Sequence, residues 1–90
     1  MANVSYDEGF TRHAAVRVQQ RAIPPVIVDY LLEIGVRESA LSGAESCHFC
    51  KKGWRRFQTY MGPAAKHFEQ YRHVYAVLAD GRVVTVAYAH

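Results

Sequence analysis

Residues 72–89 read RHVYAVLADGRVVTVAYA, and they decide the fold. β-branched and aromatic residues crowd both halves of this stretch, and Asp80-Gly81 between two such runs is the strongest short signal for a two-residue hairpin turn. An uninterrupted register counted from that turn sets His73 opposite Tyr88. Because both faces of the predicted pair are largely apolar, we expect the hairpin to lie centrally in its sheet and to be covered on both sides.

Two helices are predicted upstream of the hairpin. Thr11 is a suitable N-cap for the segment RHAAVRVQQR, whose apolar face contains Ala14. Pro24-Pro25 suits the first turn of a second helix, VIVDYLLEI, which is apolar nearly all round and should be the most buried helix. Gly35 should end that helix as a C′ glycine, the position at which glycine takes the left-handed conformation.

The middle of the chain completes the predicted order α, α, β, β, α, β, β. Two short strands are expected around residues 42–44, and a helix over residues 51–62, with residues 63–71 adding a helical turn or two. This order predicts an α+β fold, in which two N-terminal helices pack on a mainly antiparallel sheet of about four strands that ends in a C-terminal β-hairpin. At 90 residues, we expect one domain, 1–90.

Composition narrows the class of protein further. Half of the residues are hydrophobic and 21% are charged, which excludes a disordered tail or a disulfide scaffold. No apolar run approaches the roughly 20 residues that span a bilayer, and the first ten residues lack the apolar core of a secretory signal. We therefore expect a cytoplasmic protein with no membrane partner. The net charge of +3 favours an anionic partner such as RNA, although a basic solvated surface explains it equally simply.

One candidate site lies on the first predicted helix. His13, Arg17 and Arg21 stand at i, i+4 and i+8, and therefore share one helical face. A histidine within reach of two arginines suits phosphodiester cleavage, because the imidazole can move a proton and the guanidinium groups can hold a phosphate. The simpler alternative is a polar flank whose arginines pair with carboxylates such as Asp29.

The open end of the hairpin offers a second candidate site. In the uninterrupted register His73 faces Tyr88, and Tyr71 lies near His90, so these groups are candidates for a second proton carrier. Thr85 in the last strand could direct its hydroxyl into a cleft. The alternative is that all of them are ordinary residues of a strand or a sheet edge.

A third candidate is a nucleic-acid-binding patch on the predicted third helix. Its four basic residues surround one indole ring: Lys51, Lys52, Trp54, Arg55 and Arg56. Charges of this kind contact phosphates, and the ring can stack on a base, with Tyr60 further along the chain. The alternative is a solvated helix face beneath which Trp54 and Phe57 are buried.

Cys47-His48-Phe49-Cys50 has the CxxC spacing of some zinc and redox sites. A structural zinc site needs four ligands, and the chain has no second cysteine pair. A redox pair would need a helix that begins directly after a strand at this point, which the following segment KKGWRRF makes conceivable. The interpretation we favour is two inert thiols, with no metal and no cofactor.

Two stretches of the chain resemble a known family. FTRHAAVRVQQRAIPPVIVDYLLEIG at 10–35 and YAVLADGRVVTVAY at 75–88 resemble domain-of-unknown-function family 4258, a small bacterial family with no assigned function. That family looks related to the RelE- and BrnT-like toxins of the barnase, EndoU, colicin and RelE ribonuclease-like fold. The resemblance implies N-terminal helices against a four-stranded antiparallel sheet. It also implies a metal-independent endoribonuclease, or a relative that has lost this activity.

The positions that match the family include His13, Arg17, Arg21 and Thr85. Ala22 departs from the family, which more often has glycine there. The resemblance implies a toxin-like domain in which the RNA 2′-hydroxyl attacks the adjacent phosphate, with an antitoxin-like protein as partner. The rival expectation is a non-catalytic domain that binds RNA or a protein through the same basic surface. The third expectation is a structural domain that binds no ligand.

Overall fold

The computed structural model describes residues 10–89 and confirms the α+β fold. Its elements follow the predicted order and are α1 (Arg12–Gln20), α2 (Pro25–Ile34), β1 (Val36–Ser39), a short 3₁₀ turn (Leu41–Gly43), β2 (Glu45–His48), α3 (Lys51–Met61), a long 3₁₀ helix (Gly62–Tyr71), β3 (Val74–Ala79) and β4 (Arg82–Tyr88). Thr11 caps α1 as predicted, because its hydroxyl oxygen accepts a hydrogen bond from the Ala14 N–H at 3.2 Å. Among residues 10–89, none of the helices combines the length and the apolar character needed to cross a membrane.

The four strands form an antiparallel sheet in the order β1-β2-β3-β4. The hairpin therefore lies at one end of the sheet, and the prediction that it is central is wrong. One buried cluster joins residues of the three α-helices to one face of the sheet, where Val74 and Ala76 of β3 are fully buried. Tyr75 and Val77, on the opposite face, are only half-buried. The apolar character of both faces reflects the β-branched residues that strands favour rather than a second covering layer.

A β-bulge interrupts the hairpin and corrects its predicted register. Beyond the Asp80-Gly81 turn, Leu78 pairs with Val83 as predicted, but Val77 pairs with Thr85. Val84 is thus an extra residue in β4, and every later pair is shifted by one position. As a result Tyr88 pairs with Val74 on the buried face rather than with His73.

Gly35 ends α2, but not as a left-handed C′ residue. Its φ is −64°, so the backbone is one that any residue can adopt. The reason for glycine is close packing: a Cβ at this position would meet the Leu31 carbonyl oxygen and lie 2.6 Å from Cys47 Sγ. The prediction identified the helix end correctly and its physical cause wrongly.

The left-handed position is at the end of α1, where Ala22 has φ 51°. The Ile23 N–H donates to the Val18 carbonyl and the Ala22 N–H donates to the Gln19 carbonyl, both at 3.1 Å. This pair of bonds is a Schellman motif, whose C′ residue is usually glycine. Alanine in this conformation costs about 1 kcal/mol relative to glycine.

Residues at the start of α1 cover part of the outer edge of β4. Phe10 forms a parallel bridge with Val83, and the Thr11 N–H donates to the Val83 carbonyl at 2.9 Å. Arg82 donates from Nη2 to the Phe10 carbonyl at 2.8 Å. These bonds fix α1 against β4, so the helix that carries His13 packs directly beside the last strand.

Candidate nucleic-acid interface

Helix α3 begins directly after β2 and separates an apolar face from a basic one. Cys50 is its N-cap residue, and its sulfur accepts a hydrogen bond from the Gly53 N–H at 3.3 Å. Trp54 and Phe57 are buried in the core, whereas the basic residues are exposed: Lys51, Lys52, Arg55 and Arg56. Gly62 ends the helix with a φ of 61°, a conformation that favours glycine.

The indole of Trp54 belongs to the core and not to the surface. Only 2% of Trp54 is exposed, and its ring stacks on Phe57 with a centroid separation of 4.8 Å. Its Nε1–H donates to a carboxylate oxygen of Glu69 at 3.4 Å, which satisfies the one polar group of the indole. Trp54 therefore cannot stack on a nucleic-acid base, and the predicted role for this residue is corrected.

Tyr60 supplies the exposed ring that Trp54 does not. It is 67% exposed and lies against Tyr30 of α2, with 5.4 Å between the ring centroids. The two rings border an open groove of about 480 Å³, lined by Tyr30, Lys52, Arg55, Arg56, Thr59 and Tyr60. We refer to these six residues as the α3 surface. Lys51 is exposed in the first turn of the helix but does not line the groove.

Within residues 10–89, the basic side chains of the α3 surface form no ion pair with a carboxylate. The one ion pair in this part of the chain joins Arg37 of β1 to Glu45 of β2, with 3.7 Å between nitrogen and oxygen. A second hollow of about 380 Å³ adjoins the groove, and there Asp29 and Glu33 of α2 form its acidic border. Arg56 also lines this second hollow, so Lys52 and Arg55 carry the positive charge that lies away from these carboxylates and is available to an anionic ligand.

The candidate residues of the first helix, His13, Arg17 and Arg21, are called the α1 stripe. Unlike the basic residues of α3, their side chains form hydrogen bonds within the protein. His13 is exposed, and the Arg17 Nε–H donates to His13 Nε2 at 3.4 Å. The Arg21 guanidinium donates to the backbone carbonyl of Val86. Arg21 therefore satisfies a carbonyl of the outer strand instead of standing free to hold a phosphate.

Tyr88 packs beside the end of the α1 stripe. Its hydroxyl donates to the Arg21 carbonyl at 3.4 Å, and its ring stacks on Tyr71 with 6.4 Å between the centroids. Burial raises the pKa of the Tyr88 phenol and Tyr71 raises it further, while the Arg21 charge lowers it. These contacts fasten α1 and the long 3₁₀ helix to β4.

Thr85 and His73 lie on the other face of the sheet. Thr85 pairs with Val77, which alternates with the buried Ala76 and Leu78. His73 precedes Val74, whose partner is Tyr88 on the buried face. The bulge thus places Tyr88 on the buried face, whereas His73 and Thr85 lie on the opposite face. The remaining candidate, His90, lies outside the described residues.

His73 lines a separate cleft that the sequence did not reveal. His48, at the end of β2, and Arg72, beside His73, also line this cleft. Both side chains have nitrogen atoms that can donate hydrogen bonds. The sequence gives no local signal for this cleft, because His48 lies far from His73 along the chain. The pairing of β2 with β3 brings His48 next to Tyr75.

The two cysteines occupy different environments. The Cys47 thiol is fully buried and donates to the Leu31 carbonyl at 3.2 Å, and burial raises its pKa although Arg37 opposes the change. Cys50 caps α3. Both are free thiols. In the part of the chain that the structure describes, no group of three or more His, Cys, Asp or Glu side chains is arranged to hold a metal ion.

Comparison of the chain with family models, with curated proteins and with solved structures found no match in any of the three. The resemblance of residues 10–35 and 75–88 to a toxin-related family therefore stays a prediction.

Proposed function

We propose that this domain binds single-stranded RNA through the α3 surface. The observation that carries the proposal is the exposed ring of Tyr60 among three unpaired basic side chains, Lys52, Arg55 and Arg56. Proteins bind single strands with this combination, in which cations follow the phosphates and a ring stacks on an unpaired base. We propose RNA rather than DNA as the ligand because residues 10–35 and 75–88 resemble a family related to ribonuclease-like toxins.

The experiment measures the affinity of purified protein for a fluorescently labelled oligoribonucleotide at fixed salt. Tyr60→Ala removes the stacking ring, and we expect the dissociation constant to rise about tenfold. Leu41→Ala is the matched control, because Leu41 is 89% exposed in the turn between β1 and β2. It lines neither the groove of the α3 surface, nor the hollow beside it, nor the cleft at His73. Equal affinity of wild type and Tyr60→Ala would contradict the proposal.

Metal-independent RNA cleavage is the second candidate function, and the contact between Arg17 and His13 favours it. In this reaction the Arg17 guanidinium releases His13 Nε2 and holds the phosphate, and Nε2 takes the 2′-hydroxyl proton. The 2′-oxygen bonds to phosphorus as the bond to the 5′-oxygen breaks, and the imidazolium returns the proton to that leaving oxygen. A toxin of this kind would have an antitoxin-like protein partner, which the positive α3 surface would suit. Arg21 would position α1 on β4 rather than contact RNA.

Cleavage is tested by incubating a mixed RNA with the protein in EDTA. His13→Ala should lose cleavage by about 10² to 10⁴ in rate. His67→Ala is the control, since His67 is also exposed but lies on the long 3₁₀ helix. If wild type binds RNA without cutting it, the second candidate is wrong and the first stands.

A further inference from the structure

A cleft of about 340 Å³ lies beside the end of β2 and the start of β3. It is lined by Ser46, His48, Phe49, Arg72, His73, Val74, Tyr75 and Ala89. Ser46 and His48 flank the buried Cys47 and therefore project from the sheet face opposite the core. The register pairs His48 with Tyr75, so both side chains stand on that face.

Two imidazoles flank the phenol of Tyr75 in this cleft. His48 is its partner across the strands, and His73 precedes it by two positions on the same face. Diagonal neighbours of this kind in an antiparallel pair lie about 7–8 Å apart, a separation that leaves room for a small group between the rings. The backbone of His73 is fixed, because its carbonyl accepts a hydrogen bond from the Ala89 N–H at 2.8 Å.

The polar side chains of the cleft are not used in contacts among the described residues. No side-chain hydrogen bond or ion pair within residues 10–89 engages His48, Arg72, His73 or Tyr75. Among the described residues that line the cleft, none carries a carboxylate. A guanidinium, a phenol and two imidazoles that converge on one space favour an anion with several acceptor oxygens, and phosphate fits this description.

We propose that this cleft binds the phosphate of a small organic phosphate monoester, of the class of the nucleoside monophosphates. Arg72, His48 and His73 hold the phosphate oxygens, and the ring of Tyr75 supports the base. The cleft shares no lining residue with the α3 surface, so the site is separate from the proposed RNA-binding surface.

Calorimetric titration with adenosine 5′-monophosphate, inorganic phosphate and adenosine tests this site. We expect the monophosphate to bind more tightly than inorganic phosphate, and adenosine to bind most weakly. Arg72→Met and His48→Phe should each weaken monophosphate binding about tenfold, because each removes a hydrogen bond to a charged group. Lys66→Gln is the control for lost charge, since Lys66 is exposed and lines neither this cleft, nor the groove of the α3 surface, nor the hollow beside that groove.

Circular dichroism verifies that each variant is folded, and two variants in separate strands or turns guard against failure of one to fold. Absence of monophosphate binding by the wild type would overturn the proposal. So would adenosine binding as tightly as the monophosphate, which would remove the role of the phosphate. An equal loss of affinity in Arg55→Gln would overturn it too, because the ligand would then lie on the α3 surface.

Discussion

Helices α1 and α3 both carry basic side chains at helical spacing, and they meet different neighbours. Helix α1 lies along the outer strand of the sheet, where Arg21 bonds to the Val86 carbonyl and Arg17 bonds to His13. On α3 the basic side chains border an open groove, and they have no ion-pair partner within residues 10–89. A similar charge pattern thus supports the fold in one place and is available to a ligand in the other.

What separates the two helices is the neighbouring backbone. An edge strand exposes carbonyl groups that must be satisfied, and a guanidinium with several donors satisfies them well. Helix α3 instead turns its basic side toward solvent and toward α2, which presents the Tyr30 ring to the groove and Asp29 and Glu33 to the hollow beside it. Basic residues beside an edge strand should therefore be tested for structural roles before catalytic ones are assigned to them.

The largest expected effect distinguishes the two aromatic residues of α3. Trp54→Ala should lower the free energy of unfolding by about 3–5 kcal/mol, because it empties a fully packed position in the core. Tyr60→Ala should change the free energy of unfolding by less than about 1 kcal/mol, since most of the ring is in solvent. Urea denaturation followed by circular dichroism measures both values. Similar losses for the two variants would show that Tyr60 also has a core role.

A smaller effect on stability distinguishes the arginines of the two helices. Arg21→Met keeps the aliphatic stem and removes the bond to Val86, so we expect a loss of about 1–2 kcal/mol. Arg55→Met on α3 should stay within about 0.5 kcal/mol of wild type. The same urea titrations provide the comparison. If Arg21→Met is as stable as wild type, the guanidinium does not support the edge of β4.

Ala22→Gly sharpens the description of the end of α1. Glycine relieves the left-handed strain at this C′ position, although it also increases the entropy of the unfolded chain. We expect a net gain of about 0.5–1 kcal/mol in the free energy of unfolding. Thermal denaturation should show a higher Tm, with Ala64→Gly as a control in the long 3₁₀ helix. A lower Tm for Ala22→Gly would mean that the Schellman geometry is wrong.

The smallest effect concerns Tyr88 and appears in alkali. Because its pKa is raised in the folded protein, the phenol holds its proton more tightly there than in the unfolded chain. Its contribution to stability is therefore fully present below about pH 10 and is lost as the pH rises through the folded pKa. Tyr88→Phe should lose less stability than wild type between about pH 9 and pH 11. Identical pH dependence of urea unfolding in the two proteins would contradict this.

Features of the fold that depend on local chemistry could be predicted from the sequence. The Thr11 cap, the start of α2 after Pro24 and the Asp80-Gly81 turn each rest on residues next to one another, and all three are observed. The bulge at Val84 was not predictable, because Val83 and Val84 are equally suited to either face of a strand. One extra residue moved Tyr88 from the face of His73 to the buried face.

The candidate sites were predicted less completely, for a similar reason. Trp54 and Tyr60 both fit the pattern of an aromatic ring among basic residues, and only the packing of distant elements decides which ring is buried. His48 and His73 share a cleft only because β2 pairs with β3. Contacts between segments far apart in the chain leave no local signal in a single sequence.

The most direct test of the account is the salt dependence of RNA affinity in variants of the two helices. Each phosphate contact to a single strand contributes about 0.7 to the slope of log affinity against log salt concentration. Lys52→Gln combined with Arg55→Gln should therefore reduce the slope by about 1.4. Lys66→Gln, the control for net charge, should leave it unchanged, and so should Arg21→Met, provided that the variant is folded at the assay temperature. A slope reduced by Arg21→Met but not by the double variant would contradict the account, because the free basic helix would then be α1.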